Sequence, residues 1–343
     1  MTAEPTPTPQ KLSGVSKRRK KSRSQALRWL QKRQLRINRF LKKRLAPIYS
    51  RLGITSVVRW FIPGYRQVTV SEGGQSFRGN FLNTGSDHPV IAIVGDYGSG
   101  KMESHLVAQM VSERPANAVV TLGDNVYFET GFQTLVGNLY GDFLQSGSFF
   151  PAAGNHDYHE GFGIAHFDRF FDFLRGHRWY SVTFGDVDFF VLDSHQALHH
   201  PDVLVRQQEW LEAAVTASSA KWKIAVVHHP PHSARARSQE EFRFPYDQWG
   251  VCMVMSGHDH TLQHLIFDGV HYVVNGVGGG SLHEFEEILE GTEFRLSGHY
   301  GAVFLEAREH VMTVRFVALP GTEVHSFDIS ASQRTPSSEA EAG

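Results

Sequence analysis

Five short apolar runs in this chain each end in a small polar cluster, and that recurrence restricts the fold more than any other feature. Val90–Val94 runs into Gly95-Asp96-Tyr97-Gly98, Ala118–Leu122 into Gly123-Asp124-Asn125-Val126-Tyr127, and Phe149–Ala153 into Gly154-Asn155-His156-Asp157. Trp222–Val227 runs into His228-His229-Pro230, and Val251–Ser256 into Gly257-His258-Asp259-His260. Short runs rich in Val, Ile and Phe read as buried strands. In open α/β sheets ligands gather beyond the carboxyl ends of the strands, so five such ends can converge on one spot. Glycines just before several of the polar residues supply the tight exits that turn a buried strand toward a site.

The remaining texture agrees with such a fold. The spacing predicts helices over 102–113 and 203–218, and further strands at 67–70, 179–184, 187–193, 271–277, 301–307 and 311–317. Strand–helix–strand units come first and closely spaced strands follow. That order predicts an α/β layer architecture whose core holds two packed sheets.

Carboxylate, amide, phenolate and imidazole together suit hard to borderline metal ions, and they outnumber the ligands one ion needs. Seven donors that share one carboxylate make two sites. Two ions about 3.5–4 Å apart stabilise the attacking and leaving oxygens of an in-line displacement, typically at phosphorus. Any one cluster alone says little, because a strand-end Asp is usually a turn former or cap and a lone His-x-His usually faces solvent. Five in order have no comparable structural explanation. One rival reading concerns Gly95 to Lys101, which nearly spell a phosphate-cradling P-loop. Met102 stands where that loop needs Ser or Thr for Mg²⁺, and Asp96 would repel the anion.

The ordered motifs GD-x-G, GD-x-x-Y, GNH-D, H-x-P and GH-x-H resemble those of calcineurin-like metallophosphoesterases. Within that superfamily they look most like the purple acid phosphatase branch and its small tartrate-resistant form. "TLGDNVYFETG", "AGNHD" and "SGHDHTLQHL" carry the resemblance, which spans about residues 90–316, with Gly98 and Tyr127 marking the branch. It implies an α/β fold of two packed mixed β-sheets flanked by helices in αββα layers, and a binuclear phosphoesterase of phosphate esters. It also implies a ligand set: Asp96, Tyr127 and His260 on a ferric ion, Asn155, His228 and His258 on a divalent iron, zinc or manganese ion, and Asp124 bridging. His228 is chosen over His229 because the family's histidine lies two residues before the proline. A hydroxide generated by the metals would attack phosphorus in line. His156 matches the family histidine that contacts substrate or protonates the leaving alkoxide, with Asp157 to orient it. The family's further substrate histidine falls several residues after H-x-P. In "HHPPHSARARS" His232 comes earlier and is taken as the further catalytic candidate, while Arg235 and Arg237 lie near the expected place, and arginine is no proton donor at ordinary pH. His195, His199 and His200 follow a strand and could approach the site, though packing or a solvent-facing role is the expectation for each.

The resemblance leaves out the N-terminal part, where composition becomes informative. Formal net charge is −1, yet residues 1–50 hold 15 of the 34 Lys and Arg and one acid, Glu4. A basic arm thus precedes an acidic body, an arrangement that suits anionic surfaces. Residues 1–24 read as a disordered basic tail and 25–66 as a basic amphipathic helix and linker. Residues 67–330 form the catalytic domain and 331–343 a polar tail. In the 24–46 helix Trp29, Leu30, Ile37 and Phe40 share one half of the wheel and most of the basic residues share the other. Two uses stay open: the stripe lies on an anionic membrane surface, or it docks on the body, with nucleic acid behind both. The single cysteine, Cys252, allows no intrachain disulfide and fits a reducing compartment. "KRRKKSR" is followed by no continuous apolar h-region. The expectation is a cytoplasmic protein, peripheral to a membrane if the arm binds one.

Three functional readings follow. The first is a phosphomonoesterase or diesterase with a binuclear centre. The second is a non-catalytic metal-binding module tethered by its arm, and the third a membrane- or nucleic-acid-associated protein for which the arm is primary. The particular ester and the oligomeric state are not encoded in any motif.

Overall fold

The computed structural model describes residues 73–81, 89–127, 131–159, 163–235 and 238–331. The basic arm with the helix expected at 24–46, the strand expected at 67–70 and the C-terminal tail lie outside the described residues. Among the described residues no helix is long and apolar enough to cross a membrane.

Fourteen strands are described. In chain order they are β1 (Gln75–Arg78), β2 (Val90–Val94), β3 (Ala118–Thr121), β4 (Phe149–Pro151), β5 (Tyr180–Phe184), β6 (Val187–Val191) and β7 (Trp222–Val226). There follow β8 (Met253–Ser256), β9 (Leu262–Phe267), β10 (Val270–Asn275), β11 (Thr292–Leu296), β12 (Gly301–Ala307), β13 (Val311–Ala318) and β14 (Thr322–Ser330). They form two mixed sheets, one of eight strands in the order β1-β5-β6-β7-β8-β10-β9-β11 and one of six in the order β14-β13-β12-β2-β3-β4. Strands β2, β3 and β4 are parallel, and so are β6, β7 and β8. All five motif loops leave the carboxyl ends of strands in these two parallel groups, the geometry that gathers ligands at one edge.

Alternation along the strands shows how the layers pack. Phe189 and Val191 of β6, Ile224 and Val226 of β7, and Met253 and Met255 of β8 join a large core that also holds Ile91, Val303 and Val314 of the other sheet. Their neighbours Phe190, Ala225 and Val254 turn to a second core, shared with Leu211 and Val215 of the helix α6 described below. A side-chain period of two therefore sends one face of the eight-stranded sheet to the six-stranded sheet and the other to helix. Both faces are dry, which explains the unbroken apolar runs. Each fully buried Val, Ile or Phe contributes about 1.5–3 kcal/mol before ordering entropy is subtracted.

Helices fall where the connections are long. Helix α1 (Met102–Glu113) and helix α6 (Pro201–Ala217) match the expected pair, and Pro201 begins the latter, where its missing N–H costs nothing. Five shorter helices among the described residues have no clear periodic signal: α2 (Asn138–Gln145), α3 (Asn155–His159), α4 (Ile164–Phe170), α5 (Ser194–His199) and α7 (Tyr246–Trp249). Strands β1, β9, β11 and β14 were likewise absent from the sequence reading.

Candidate metal centre

The exits from β2, β3 and β8 share an uncommon backbone. Among the described residues five non-glycine residues have positive φ, and three are Asp96 (55°), Asp124 (52°) and His258 (68°). Left-handed backbone costs such residues about 1–3 kcal/mol each and survives where surroundings enforce it, typically at functional sites. Close approach of the loops enforces it here. A Cβ on Gly98 would lie 2.4 Å from the Asn125 carbonyl carbon, and one on Gly154 would lie 2.3 Å from Asp124 Oδ1. Gly98 N–H donates to Asp124 O (3.2 Å) and Tyr127 N–H donates to Gly98 O (2.9 Å), so the first two loops are laced together. The glycine that marked the branch in sequence thus has its own packing reason.

These loops bring all seven expected ligands into two adjoining groups. In one, His260 Nε2 lies 3.2 Å from Asp96 Oδ1 and 3.0 Å from the Tyr127 hydroxyl, which is itself 3.2 Å from Asp96 Oδ1. In the other, His228 Nε2 lies 3.0 Å from Asn155 Oδ1 and 3.4 Å from Asp124 Oδ1. His258 joins them, its ring 5.2 Å from that of His228 and its backbone N–H donating to Asp96 Oδ2 at 2.8 Å. Asp96, Asp124 and His260 offer donor atoms within 4.8 Å of one another, and so do His228, His229 and His258.

Two histidines are pre-set as ligands. His228 Nδ1 sits 2.7 Å from Leu122 O and His260 Nδ1 sits 2.6 Å from Ser281 O. A carbonyl oxygen only accepts, so each Nδ1 carries a proton, and Nε2 is the nitrogen each ring turns to the cluster and can give to a metal. His228 Nε2, Asn155 Oδ1 and Asp124 Oδ1 face one another closely enough to share one cation.

The electrostatics agree. Asp96 and Asp124 are 0% and 1% exposed. Burial, then the charge of Asp96, pushes Asp124 up to about 8. Burial also works to raise Asp96, but its hydrogen bond to His260 and the charges of His260, His228 and His258 outweigh it and hold that carboxyl well below the usual range. The Tyr127 phenol is pushed well above its ordinary value by burial and by both carboxylates. Two carboxylates and a phenolate this close cannot all ionise without positive charge between them; bound cations would reverse the upward shifts of Asp124 and Tyr127 and reinforce the ionised Asp96. The donor set fits two metal ions.

The catalytic candidates divide. His156 is at the site: its backbone N–H donates to Asp124 Oδ1 (2.8 Å), and its ring lies 4.4 Å from that of Tyr127. Asp157 serves the scaffold and does not orient His156 as expected. Its carboxylate accepts from Gly154 N (2.8 Å), Asn125 Nδ2 (2.8 Å), Asn125 N (3.3 Å) and Val126 N (3.2 Å), tying the second loop to the third. Burial, then the charge of Asp124, pushes it up to about 7 against those hydrogen bonds. His232 is placed elsewhere. Its ring stacks on Phe267 at 4.1 Å and meets Tyr272 at 4.7 Å. Phe267 closes β9 at the end remote from the His258–His260 loop, five residues and about 16 Å along the strand from Leu262. Burial and Arg243 pull His232 down to about 4. Arg235 binds Glu286 at 3.1 Å and lies 3.9 Å from Asp259, while Arg237 is outside the described residues.

Two contributors, Asn125 and His229, have no role in the sequence reading, whereas His195 packs as expected. Asn125 bridges the strand ends, donating to Ala152 O (2.8 Å) and accepting from Tyr97 (2.8 Å) and Thr121 (2.8 Å). His229 places Nδ1 2.7 Å from Ser194 Oγ and its ring 4.5 Å from that of His258. His195 packs behind it, with ring centroids 6.2 Å apart. A doubled histidine before Pro230 was the available signal for His229, and the Asn of GDN that for Asn125.

Known proteins resemble this chain over the residues that carry these loops. Residues 89–262 match the family described as calcineurin-like phosphoesterase. The chain is 24% identical over 280 residues to purple acid phosphatase 4 of Arabidopsis thaliana, covering 69% of this chain and 82% of that protein. It is 24% identical over 262 residues to human tartrate-resistant acid phosphatase type 5, covering 63% and 79%. Among solved structures, the purple acid phosphatase PPD1 of yellow lupin seeds superposes with a TM-score of 0.59 at 19% identity, over 71% of this chain and 54% of that one. GAP50, the anchor in the inner membrane complex of Plasmodium, superposes with 0.57 at 17% identity, over 71% and 89%. The two superpositions establish a shared fold.

Proposed function

This chain belongs to the calcineurin-like phosphoesterase family, and from that membership we propose that it is a binuclear-metal phosphoesterase of the purple acid phosphatase type. The observation that carries the reading is the division of the donors into two groups around Asp124. Asp96, Tyr127 and His260 make an oxygen-rich half suited to Fe³⁺, and Asn155, His228 and His258 a softer half suited to divalent iron, zinc or manganese. Bound there, two ions would lower the pKa of water and stabilise charge at phosphorus. Asp124 serves both halves. Leu122 and Ser281 carbonyls hold His228 and His260 in the ligating tautomer. Asn125 and Asp157 fix the loops that carry Asp124, Asn155 and His156. His156, beside Tyr127, is the side chain placed to hold a phosphate oxygen or to give a proton to the leaving alkoxide.

The decisive experiment pairs metal analysis of purified protein with hydrolysis of a panel of phosphate mono- and diesters. Two ions per chain with turnover of at least one ester class supports the reading, and the panel separates monoesterase from diesterase. Two bound ions with no turnover on any ester would favour a non-catalytic metal module.

A further inference from the structure

The two half-sites are braced differently. His228 is held by a carbonyl of the strand end after β3, whereas His260 is wrapped by the glycine-rich segment 276–283, the first half of the connection from β10 to β11. Gly278 N–H donates to Gly95 O (2.9 Å) and Gly280 N–H donates to Asp96 O (2.8 Å), which pins the segment to the first metal loop. A Cβ on Gly280 would lie 2.6 Å from His260 Cε1, so the segment passes against the imidazole itself. Its end is closed by His283. The His260 backbone N–H donates to His283 Nδ1 (3.1 Å), and the His283 backbone N–H donates to His260 O (3.1 Å). The two rings lie parallel, 1° apart in plane and 4.3 Å between centroids.

We infer that His283 is a positioning residue for His260, clamping backbone and ring together so that Nε2 points at Asp96 and Tyr127. The inference rests on the reading of His260 as a ligand. A side chain that orients a ligating histidine governs metal affinity without touching the metal, typically by 10- to 100-fold. Two parts of the clamp are separable. A phenylalanine at 283 keeps a ring to stack and loses the acceptor, while an asparagine keeps an acceptor and loses the ring.

The test uses the full-length chain, stripped of metal by chelation and titrated with Zn²⁺ against a chromophoric competitor. Wild type should bind two ions. His283→Ala should weaken one of them by about 10–100-fold, leave the other unchanged, and leave the Tm of the metal-free protein near that of wild type. His283→Phe and His283→Asn should each recover part of the loss. His260→Ala should weaken the same ion, and the double variant His260→Ala/His283→Ala should lose no more than His260→Ala alone, because the clamp acts through that ring. Wild-type affinities in His283→Ala would overturn the inference. So would an equal loss at both ions together with a lower metal-free Tm, which is general damage. Should wild type bind no Zn²⁺, or should His260→Ala keep both affinities, the ligand reading itself falls and the inference goes with it.

Discussion

Two histidine clusters in this molecule use the same side chain to opposite ends. In the candidate metal centre His228 and His260 aim at carboxylates, an amide and a phenol. Away from it, His264 of β9, His271 of β10 and His325 of β14 aim at one another. His264 Nε2 lies 2.9 Å from His271 Nδ1, and its Nδ1 lies 3.0 Å from His325 Nε2. Phenyl rings close the chain in: Phe327 stacks on His264 at 3.8 Å and Phe294 on His325 at 4.4 Å. Because His264 spends both nitrogens on its neighbours, the three cannot turn lone pairs to one ion. They instead stitch the eight-stranded sheet to β14 of the other. The charge states diverge accordingly. His260 is raised, since its Asp96 hydrogen bond and charge outweigh the burial that would lower it. Burial pulls His264 down to about 3, helped by His271 and His325. What an imidazole does is set by what its nitrogens face.

Mutation should separate the clusters most sharply at Asp124. Asp124→Asn and His228→Ala are each expected to cut hydrolysis to below about a thousandth of wild type, because groups acting as one catalytic unit fail together. Bound metal should fall in both, and further in Asp124→Asn, which serves both halves. Metal content and steady-state rates on an aryl phosphate measure this. Near-normal turnover with full metal in Asp124→Asn would sink the binuclear reading. His264→Ala should do the reverse, keeping both ions and most of the activity while losing about 2–4 kcal/mol of stability through a cavity between the sheets. A urea midpoint unchanged from wild type would show that the second cluster bears no packing role.

The contrast also shows what sequence could and could not convey. The metal centre was legible because strand exits are local: a glycine, a polar residue and an apolar run appear within one short window, five times over. The second cluster was not. Gln263 and His264 interrupt the apolar pattern of β9, yet both are buried, with partners at Ser233, His271 and His325. Strand β14 alternates weakly and lies at a sheet edge, half in solvent, where hydrophobic pattern carries little signal. Asp157 misled for the same reason. Its sequence neighbour His156 suggested a pair, while its real partners at Asn125 and Val126 lie about 30 residues away. His283, 23 residues beyond His260 across a strand pair, gave no local sign at all.

A smaller effect should appear as a pH slope. The depressed folded pKa of His264 means the unfolded chain binds its proton first, so stability rises with pH. Its contribution is complete above about pH 6.5 and is lost as pH falls from there toward about 3. His271 and His325, also lowered by burial, act in the same direction, with Glu293 opposing the shift at His325. The loss from His264 alone is at most about 1.4 kcal/mol per pH unit. Urea midpoints from pH 7 to 4 should therefore fall less steeply in His264→Phe than in wild type. Parallel slopes would mean that the imidazole chain is not held neutral.

The smallest effect on rate is expected at Tyr127, and it asks which ion the oxygen-rich half takes. The phenol lies 3.2 Å from Asp96 Oδ1 and 3.0 Å from His260 Nε2, so it completes the half-site without reaching the Asn155 side. Burial and two carboxylates keep it protonated in the metal-free protein, and a strongly charged cation is what would ionise it. Tyrosinate is a hard donor that prefers Fe³⁺ to Zn²⁺ or Mn²⁺, and iron–phenolate charge transfer colours the purple phosphatases this chain resembles. Protein purified with iron should accordingly show a broad visible band, lost in Tyr127→Phe. Hydrolysis should fall only several-fold, since on the proposed assignment Asp96, Asp124 and His260 would still hold the ion and the phenol would touch no bond that breaks. A colourless wild type, fully loaded and active with zinc or manganese alone, would remove iron from that half-site. The family assignment would stand, and Tyr127 would become a hydrogen-bond partner of Asp96 and His260, closer in kind to the self-paired histidines than to the ligands.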